Sequence, residues 1–339
     1  MSHARAARAD RGVAAVVSWA TIMATSATSS LLSRDVCIDI AAGWVAGAAS
    51  IFASQPLDTV LTRLQQAPPT SRPSAVAREV RATGGVRALW RGAAPLVGVV
   101  PVQNALLFAG YGAGERFAKY LAAPEGTGAA ACQGGSQLQY YAAVFAGGCS
   151  GGVLQSFVVS PVELVKVQLQ LGRGSARHGG GSVLACAHEV YATVGVPAFW
   201  RGLSATLLRD GVPHGVWFAS YEWSKLGLEE ANRRADGVAP ADAVPLTSGA
   251  FAATLAWLVG YPADIIKTRI QGASMTAGGV PAPSVLETAR ALVREANGNV
   301  WRAFYRGFGL KLARAVPMNA LSFVVYERAK AYCEEAWAP

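Results

Sequence analysis

The sequence predicts an all-α membrane fold, six long transmembrane helices in three pseudosymmetric repeats with short helices between them, and three observations lead there. Over 339 residues the composition is 52% hydrophobic and only 15% charged, a greasier balance than soluble domains show. A segment that begins with proline recurs as PLDTVLTRLQ at Pro56, PVELVKVQLQ at Pro161 and PADIIKTRIQ at Pro262. An aromatic, an arginine and a glycine follow each copy, as Trp90-Arg91-Gly92, Trp200-Arg201-Gly202 and Tyr305-Arg306-Gly307, with Tyr111, Tyr221 and Tyr326 at one constant offset beyond. Two landmarks in the same order three times define a repeat.

Each repeat reads the same way along the chain. A long helix rich in small and apolar residues (about 36–65, 138–170 and 245–271) meets its proline in the second half, where the missing N–H bends it. A polar loop and a short amphipathic helix (about 73–83, 182–193 and 284–296) lead to a second long helix (about 92–121, 202–230 and 307–335). The repeats occupy 35–135, 136–240 and 241–335. The long helices exceed the roughly 20 residues that cross a bilayer, yet they carry Asp58, Glu163, Arg209, Asp210, Asp264 and Arg314. Ionisable groups inside a span are costly unless they face a partner or water, so these are expected to line a central polar cavity. Gly43 with Gly47, Gly147 with Gly151 and, more weakly, Gly249 with Ala253 repeat a spacing that lets helices approach closely.

Several function classes are set aside. The formal charge of +9 comes from basic residues dispersed along the chain, which fits membrane and solute electrostatics and not a nucleic-acid patch. Cys37, Cys132, Cys149, Cys186 and Cys333 are odd in number and lack paired spacing, so reduced thiols are expected and neither a disulfide framework nor a zinc site. No phosphate loop, metal-ligand cluster or nucleophile elbow occurs, and His3, His178, His188 and His214 are scattered, so neither an enzyme nor a cofactor is implied. Residues 1–34 carry Arg5, Arg8, Arg11 and Arg34, with Asp10 the one acid. They resemble a mitochondrial transit peptide, and a disordered basic tail fits the same composition.

Taken together, these motifs resemble the mitochondrial carrier family, whose hallmark in each odd-numbered long helix is a proline, then an acid, then two bases in fixed register. The resemblance covers about 36–335. It implies a multi-pass carrier of the inner mitochondrial membrane, with its short helices on the matrix side, that opens to cytosol and matrix in turn around a central site. It also implies a monomer, with a small-molecule solute and cardiolipin as partners. A non-transporting scaffold of the same fold is the other reading, motivated by gaps in the gate motifs.

In the family the hallmark acids and bases pair between neighbouring repeats and close the matrix side. Asp58 is expected to pair with Lys166 and Glu163 with Lys267, whereas Leu61 stands where Asp264 would find its base. Gln65, Gln170 and Gln271 take the positions of glutamines that brace such pairs. The cytosolic motif of aromatic, acid and base is intact as Tyr221, Glu222 and Lys225 and as Tyr326, Glu327 and Lys330, but its first copy reads Tyr111, Gly112 and Glu115. Lys225 to Glu327 is the one clear bond expected there, and Glu115 is expected to face Glu222 unless Arg116 intervenes. Arg91 with Gly92, Arg201 with Gly202 and Arg306 with Gly307 open the even-numbered helices, where the family holds cardiolipin phosphates.

The resemblance also marks a solute site. Arg209 followed by Asp210, midway along the fourth long helix, is similar to the amino-acid and acylcarnitine carriers. A guanidinium binds a carboxylate bidentately and an aspartate takes a cationic nitrogen. Arg314, as far before Glu327 as Arg209 is before Glu222, would be a second carboxylate anchor. Trp257 stands where the ornithine and carnitine carriers have a tryptophan, and its face can hold a quaternary ammonium or a guanidinium. Gln103 replaces the glutamate of ornithine-type carriers, which leaves the solute open between a basic amino acid and a carnitine-like zwitterion. His214, four residues beyond Asp210, lies on a similar face, either as a pH-sensitive group or as an ordinary hydrogen-bonded histidine.

Overall fold

The computed structural model describes residues 34–122, 137–172, 182–234, 243–274 and 283–336. Apart from Arg34, the basic leader lies outside them. The described α-helices are α1 (Arg34–Gln66), α2 (Pro73–Gly84), α3 (Ala93–Ala122), α4 (Gln137–Gln170), α5 (Val183–Val194), α6 (Leu203–Arg234), α7 (Ala243–Gln271), α8 (Val285–Glu295), α9 (Val300–Phe304) and α10 (Phe308–Ala336). Among them α1, α3, α4 and α7 lie in segments long and apolar enough to cross a membrane. The remaining long helices, α6 and α10, have the length, and charges such as Arg209, Asp210, Lys311 and Arg314 lower their hydropathy. By internal contacts the chain divides into two compact units. One is built on Asn104–Gln155 and Asp210–Gly260, the other on Ile38–Gln103, Ser156–Arg209 and the chain from Tyr261 onward.

In the second unit each short helix covers the proline-bearing helix of its own repeat. Val76, Val80 and Ala88 pack on Val60 and Leu64 of α1. Cys186 of α5 packs on Val165 and Leu169 of α4, and Val190 packs on Leu164. Leu292 of α8 packs on α7 with Ile265, Ile266 and Ile270. Burial pushes the Cys186 thiol up to about 11, so it stays protonated. Cys149, Cys186 and Cys333 are free thiols.

A proline inside a helix leaves the carbonyl four residues back without its usual donor. Indole N–H groups fill three of these vacancies. Trp90 donates to the Phe52 carbonyl opposite Pro56 at 2.9 Å, Trp200 to Phe157 opposite Pro161 at 3.1 Å, and Trp44 to Val97 opposite Pro101 at 2.9 Å. This gives the aromatic of the recurring aromatic–arginine–glycine signal a physical reason. Its third copy is a tyrosine with no ring N–H, and there the Tyr261 hydroxyl donates to the Arg306 carbonyl at 2.7 Å while Tyr305 stacks on Tyr261.

In the first unit α4 is wedged closely by two neighbours. Gly147 and Gly151 face α3, where a Cβ on Gly110 would come within 2.7 Å of the Gly151 Cα. Gly148 and Gly152 form a second stripe facing α6, where a Cβ on Gly148 would meet the His214 carbonyl at 2.7 Å and the Gly215 Cα at 2.8 Å. The paired glycines thus serve both sides of one helix. Half of the most apolar stretch of α4 is buried, against 22% or less in the other three such segments. Gly249 differs from its counterparts, for a Cβ there meets open space.

Two outcomes are expected from thermal unfolding in detergent. Gly110→Ala and Gly148→Ala should each destabilise by about 1–3 kcal/mol through overpacking, and Gly249→Ala should not. Trp90→Phe and Trp200→Phe should each lose about 1 kcal/mol, the net worth of one hydrogen bond to a carbonyl without another regular donor.

Candidate functional site

The three acids of the proline motif lie in the second unit with little exposure, and a cation meets each. Asp58 of α1 lies 3.3 Å from the Lys166 Nζ of α4 and 2.9 Å from the Arg314 Nη1 of α10. Glu163 of α4 accepts from Arg209 of α6 through both oxygens, at 2.6 and 2.8 Å, and pairs with Lys267 of α7. Asp264 of α7 lies 3.5 Å from the Lys311 Nζ of α10. An uncompensated buried charge costs about 3–5 kcal/mol, so this matching is a condition of folding.

Two features of this cluster depart from the sequence reading. Asp264 was expected to lack a base, and Lys311 meets it from α10. Lys311 was missed because it belongs to no repeated motif; its signal is its place one helical turn before Arg314, on the same face. The brace expected of Gln170 is also differently made. Its amide accepts from the Thr62 hydroxyl at 2.8 Å and contacts the Thr59 hydroxyl at 3.4 Å, so it ties α4 to two threonines of α1 and not to an ion pair. Gln65 and Gln271 are buried at the equivalent positions, and both polar atoms of the Gln271 amide lack a hydrogen bond among the described residues.

Both candidate carboxylate anchors already hold carboxylates: Arg209 is on Glu163 and Arg314 is on Asp58. Asp210 is buried in the first unit, where its carbonyl oxygen lies 2.6 Å from the His214 Nδ1. A carbonyl can only accept, so Nδ1 carries the proton, and Nε2 is left to accept from the Gln155 amide at 3.2 Å. His214 is therefore a hydrogen-bonded histidine between α4 and its own helix. Gln103 of α3 and Trp257 of α7 are each half-buried.

The cytosolic motif residues have partners that the motif did not name. Glu115 pairs with Lys119 one turn along α3 at 2.8 Å, and Glu222 accepts from the Tyr140 hydroxyl at 3.3 Å, while Tyr221 stacks on Trp217. Lys330 lies 2.6 Å from Asp39 near the start of α1, and the Tyr326 hydroxyl donates to the same oxygen at 2.9 Å. Asp39 went unnoticed because it precedes every repeated segment. Lys225 is half-buried on α6 and Glu327 is exposed on α10.

The glycines of the aromatic–arginine–glycine motifs adopt left-handed backbone, with φ of 83° at Gly92, 85° at Gly202 and 82° at Gly307. Each turn presses on the proline-bearing helix of another repeat. A Cβ on Gly92 would come within 2.9 Å of the Lys166 carbonyl, one on Gly202 within 3.2 Å of Gln271, and one on Gly307 within 2.6 Å of Leu61. Arg306 donates to the Ala67 and Ser71 carbonyls at 2.7 and 3.3 Å, so its guanidinium clamps the chain that leaves α1. The Arg91 carbonyl accepts from Gln55 at 2.7 Å, and Arg201 is half-buried at the equivalent turn.

A sequence profile described as mitochondrial carrier protein matches the chain three times, over residues 33–120, 136–232 and 243–336. The mitochondrial carnitine/acylcarnitine carrier protein of Mus musculus is 31% identical over 299 residues, covering 85% of this chain and 92% of its own. The mitochondrial glycine transporter of Saccharomyces cerevisiae is 31% identical, with 86% and 90% covered. The mitochondrial arginine transporter of Arabidopsis thaliana is 29% identical, with 85% and 89% covered.

Proposed function

The chain belongs to the mitochondrial carrier family as a multi-pass solute transporter of the inner mitochondrial membrane, not an enzyme, and from this premise we propose that its solute is a small zwitterion bearing one carboxylate. The observation that carries this reading is that Arg209 and Arg314 each hold a protein carboxylate at 2.6 to 2.9 Å. A solute carboxylate can take over the same guanidinium donors, exchanging one anion for another with little loss of charge pairing. Carnitine, arginine and glycine, the solutes named for the relatives, each bear one carboxylate and at least one positive nitrogen, arginine having a second. Asp210, the residue after Arg209, is the acid assigned to that nitrogen, and Trp257 offers a face to a methylated ammonium.

Exchange at these arginines couples binding to opening. Arg314 leaving Asp58 for the solute removes a bond between the third repeat and the first, and Arg209 leaving Glu163 loosens α6 from α4 within the second, so the solute binds the opening state better than the closed one. A ligand shifts an equilibrium only by such a difference in affinity. Lys267 and Lys166 remain on the two acids meanwhile, so neither is stranded. Gln103 in place of a glutamate removes a strong partner for a second cation and tilts the choice toward carnitine-like solutes.

Reconstitution in liposomes tests the assignment. Arg209→Ala and Arg314→Ala should each lower uptake by about 10–100-fold while the protein stays folded, the loss expected for one charge-assisted pair, with Arg209→Lys in between. Normal flux in either alanine variant would remove that arginine from the site. Competition should show carnitine, lysine or arginine displacing labelled solute, and malate or adenine nucleotide failing to. An anion repelled by Asp210 at an effective dielectric of about 20 loses several kcal/mol. Uptake of malate or nucleotide alone would overturn the zwitterion reading, and partner binding without any flux would favour the scaffold.

A further inference from the structure

The proline motifs set a register in which the same offset gives Leu61, Lys166 and Lys267. Lys166 of the second repeat meets Asp58 of the first, and Lys267 of the third meets Glu163 of the second. The ring would close with a base at position 61 meeting Asp264, but Leu61 is buried and apolar and packs beside Gly307. Asp264 is itself only 8% exposed, so it could not stand without a cation.

Two residues one turn apart on α10 occupy the gap. Lys311 lies 3.5 Å from Asp264, within the third repeat, and Arg314 lies 2.9 Å from Asp58, across from the third repeat to the first. We infer that Lys311 and Arg314 together replace the base absent at position 61: Lys311 neutralises the acid left over, and Arg314 supplies, among the proline-motif acids, the ion pair from the third repeat to the first. The tie runs with reversed polarity, its base in the third repeat and its acid in the first. It also makes this seam unlike the other two, which lysines of the proline motif hold. The assignment goes beyond the transport reading and does not depend on the identity of the solute.

Thermal unfolding of the purified full-length protein in detergent tests it through rescue. Lys311→Met should lower the melting temperature by about 5–10 °C, because it strands a buried carboxylate. Adding Leu61→Lys, or instead Asp264→Asn, to Lys311→Met should recover most of the loss. Leu61→Lys alone should lower the melting temperature, since the new ammonium finds Asp264 already matched. Arg314→Gln should cost less in the Leu61→Lys, Lys311→Met background than in the natural protein, because the seam then has its motif bond back. If Lys311→Met does not fold, the two double variants still carry the comparison. A wild-type melting temperature in Lys311→Met, a failure of both double variants to recover, a rise in Leu61→Lys alone, or an equal Arg314→Gln loss in both backgrounds would each overturn the inference. Flux in liposomes is read separately, so a protein that carries no tested solute does not bear on this result.

Discussion

A carboxylate inside a membrane-spanning helix is tolerable only with a cation beside it, and the second unit is organised around meeting that condition three times. Asp58, Glu163 and Asp264 each follow a helix proline by two residues, so the acids enter at one depth in α1, α4 and α7. Cations must then arrive at that depth from neighbouring helices. The left-handed glycine turns help to set the arrival. Gly92 presses on the backbone of Lys166, the residue whose ammonium reaches Asp58, and only a residue without a Cβ permits that approach. Backbone contact and charge pairing are two parts of one joint.

The same prolines create a second obligation. A carbonyl released by proline inside a span has no water to turn to, and a donor must be supplied by the protein. Trp44, Trp90 and Trp200 supply it, and each also brings a large ring that fixes one helix against the next. Tryptophan suits the task because its one polar atom is a donor and the rest of the ring is content in lipid or protein. Bends that would otherwise weaken α1, α3 and α4 become places where helices are fastened together.

Much of this could be read from the sequence because it is periodic. The repeat register marks the acids and bases, the family resemblance pairs Asp58 with Lys166 and Glu163 with Lys267, and the ends of the long helices fall within a few residues of where the pattern puts them. Lys311 and Asp39 could not be read in that way, since each lies outside the recurring motifs while its partner, Asp264 or Lys330, lies inside one. Arg209 and Arg314 were legible as carboxylate binders, but the carboxylates they hold are the protein's own, a pairing set by the depth of α6 and α10 beside the proline helices. The second glycine stripe on α4 was hidden by its neighbour: Gly147 and Gly148 are adjacent letters that face different helices about 100° apart.

The choice of base at each position divides the labour of the network. Among the described residues three acids are matched by five cations, Lys166, Lys267, Lys311, Arg209 and Arg314, an excess of positive charge consistent with the proposed solute carboxylate. An ammonium is a compact, strongly hydrated point charge, and once desolvated beside a carboxylate it has much to lose by leaving. A guanidinium is weakly hydrated and presents several donors in a plane, so it can pass from one carboxylate to another without shedding a tight water shell. Lys166 and Lys267 therefore suit the contacts that hold repeats together, and under the proposed function the arginines suit contacts that pass to an arriving anion. On the seam between the third repeat and the first, Arg314 would do both, and under the proposed function that seam is the one most directly loosened by a solute carboxylate.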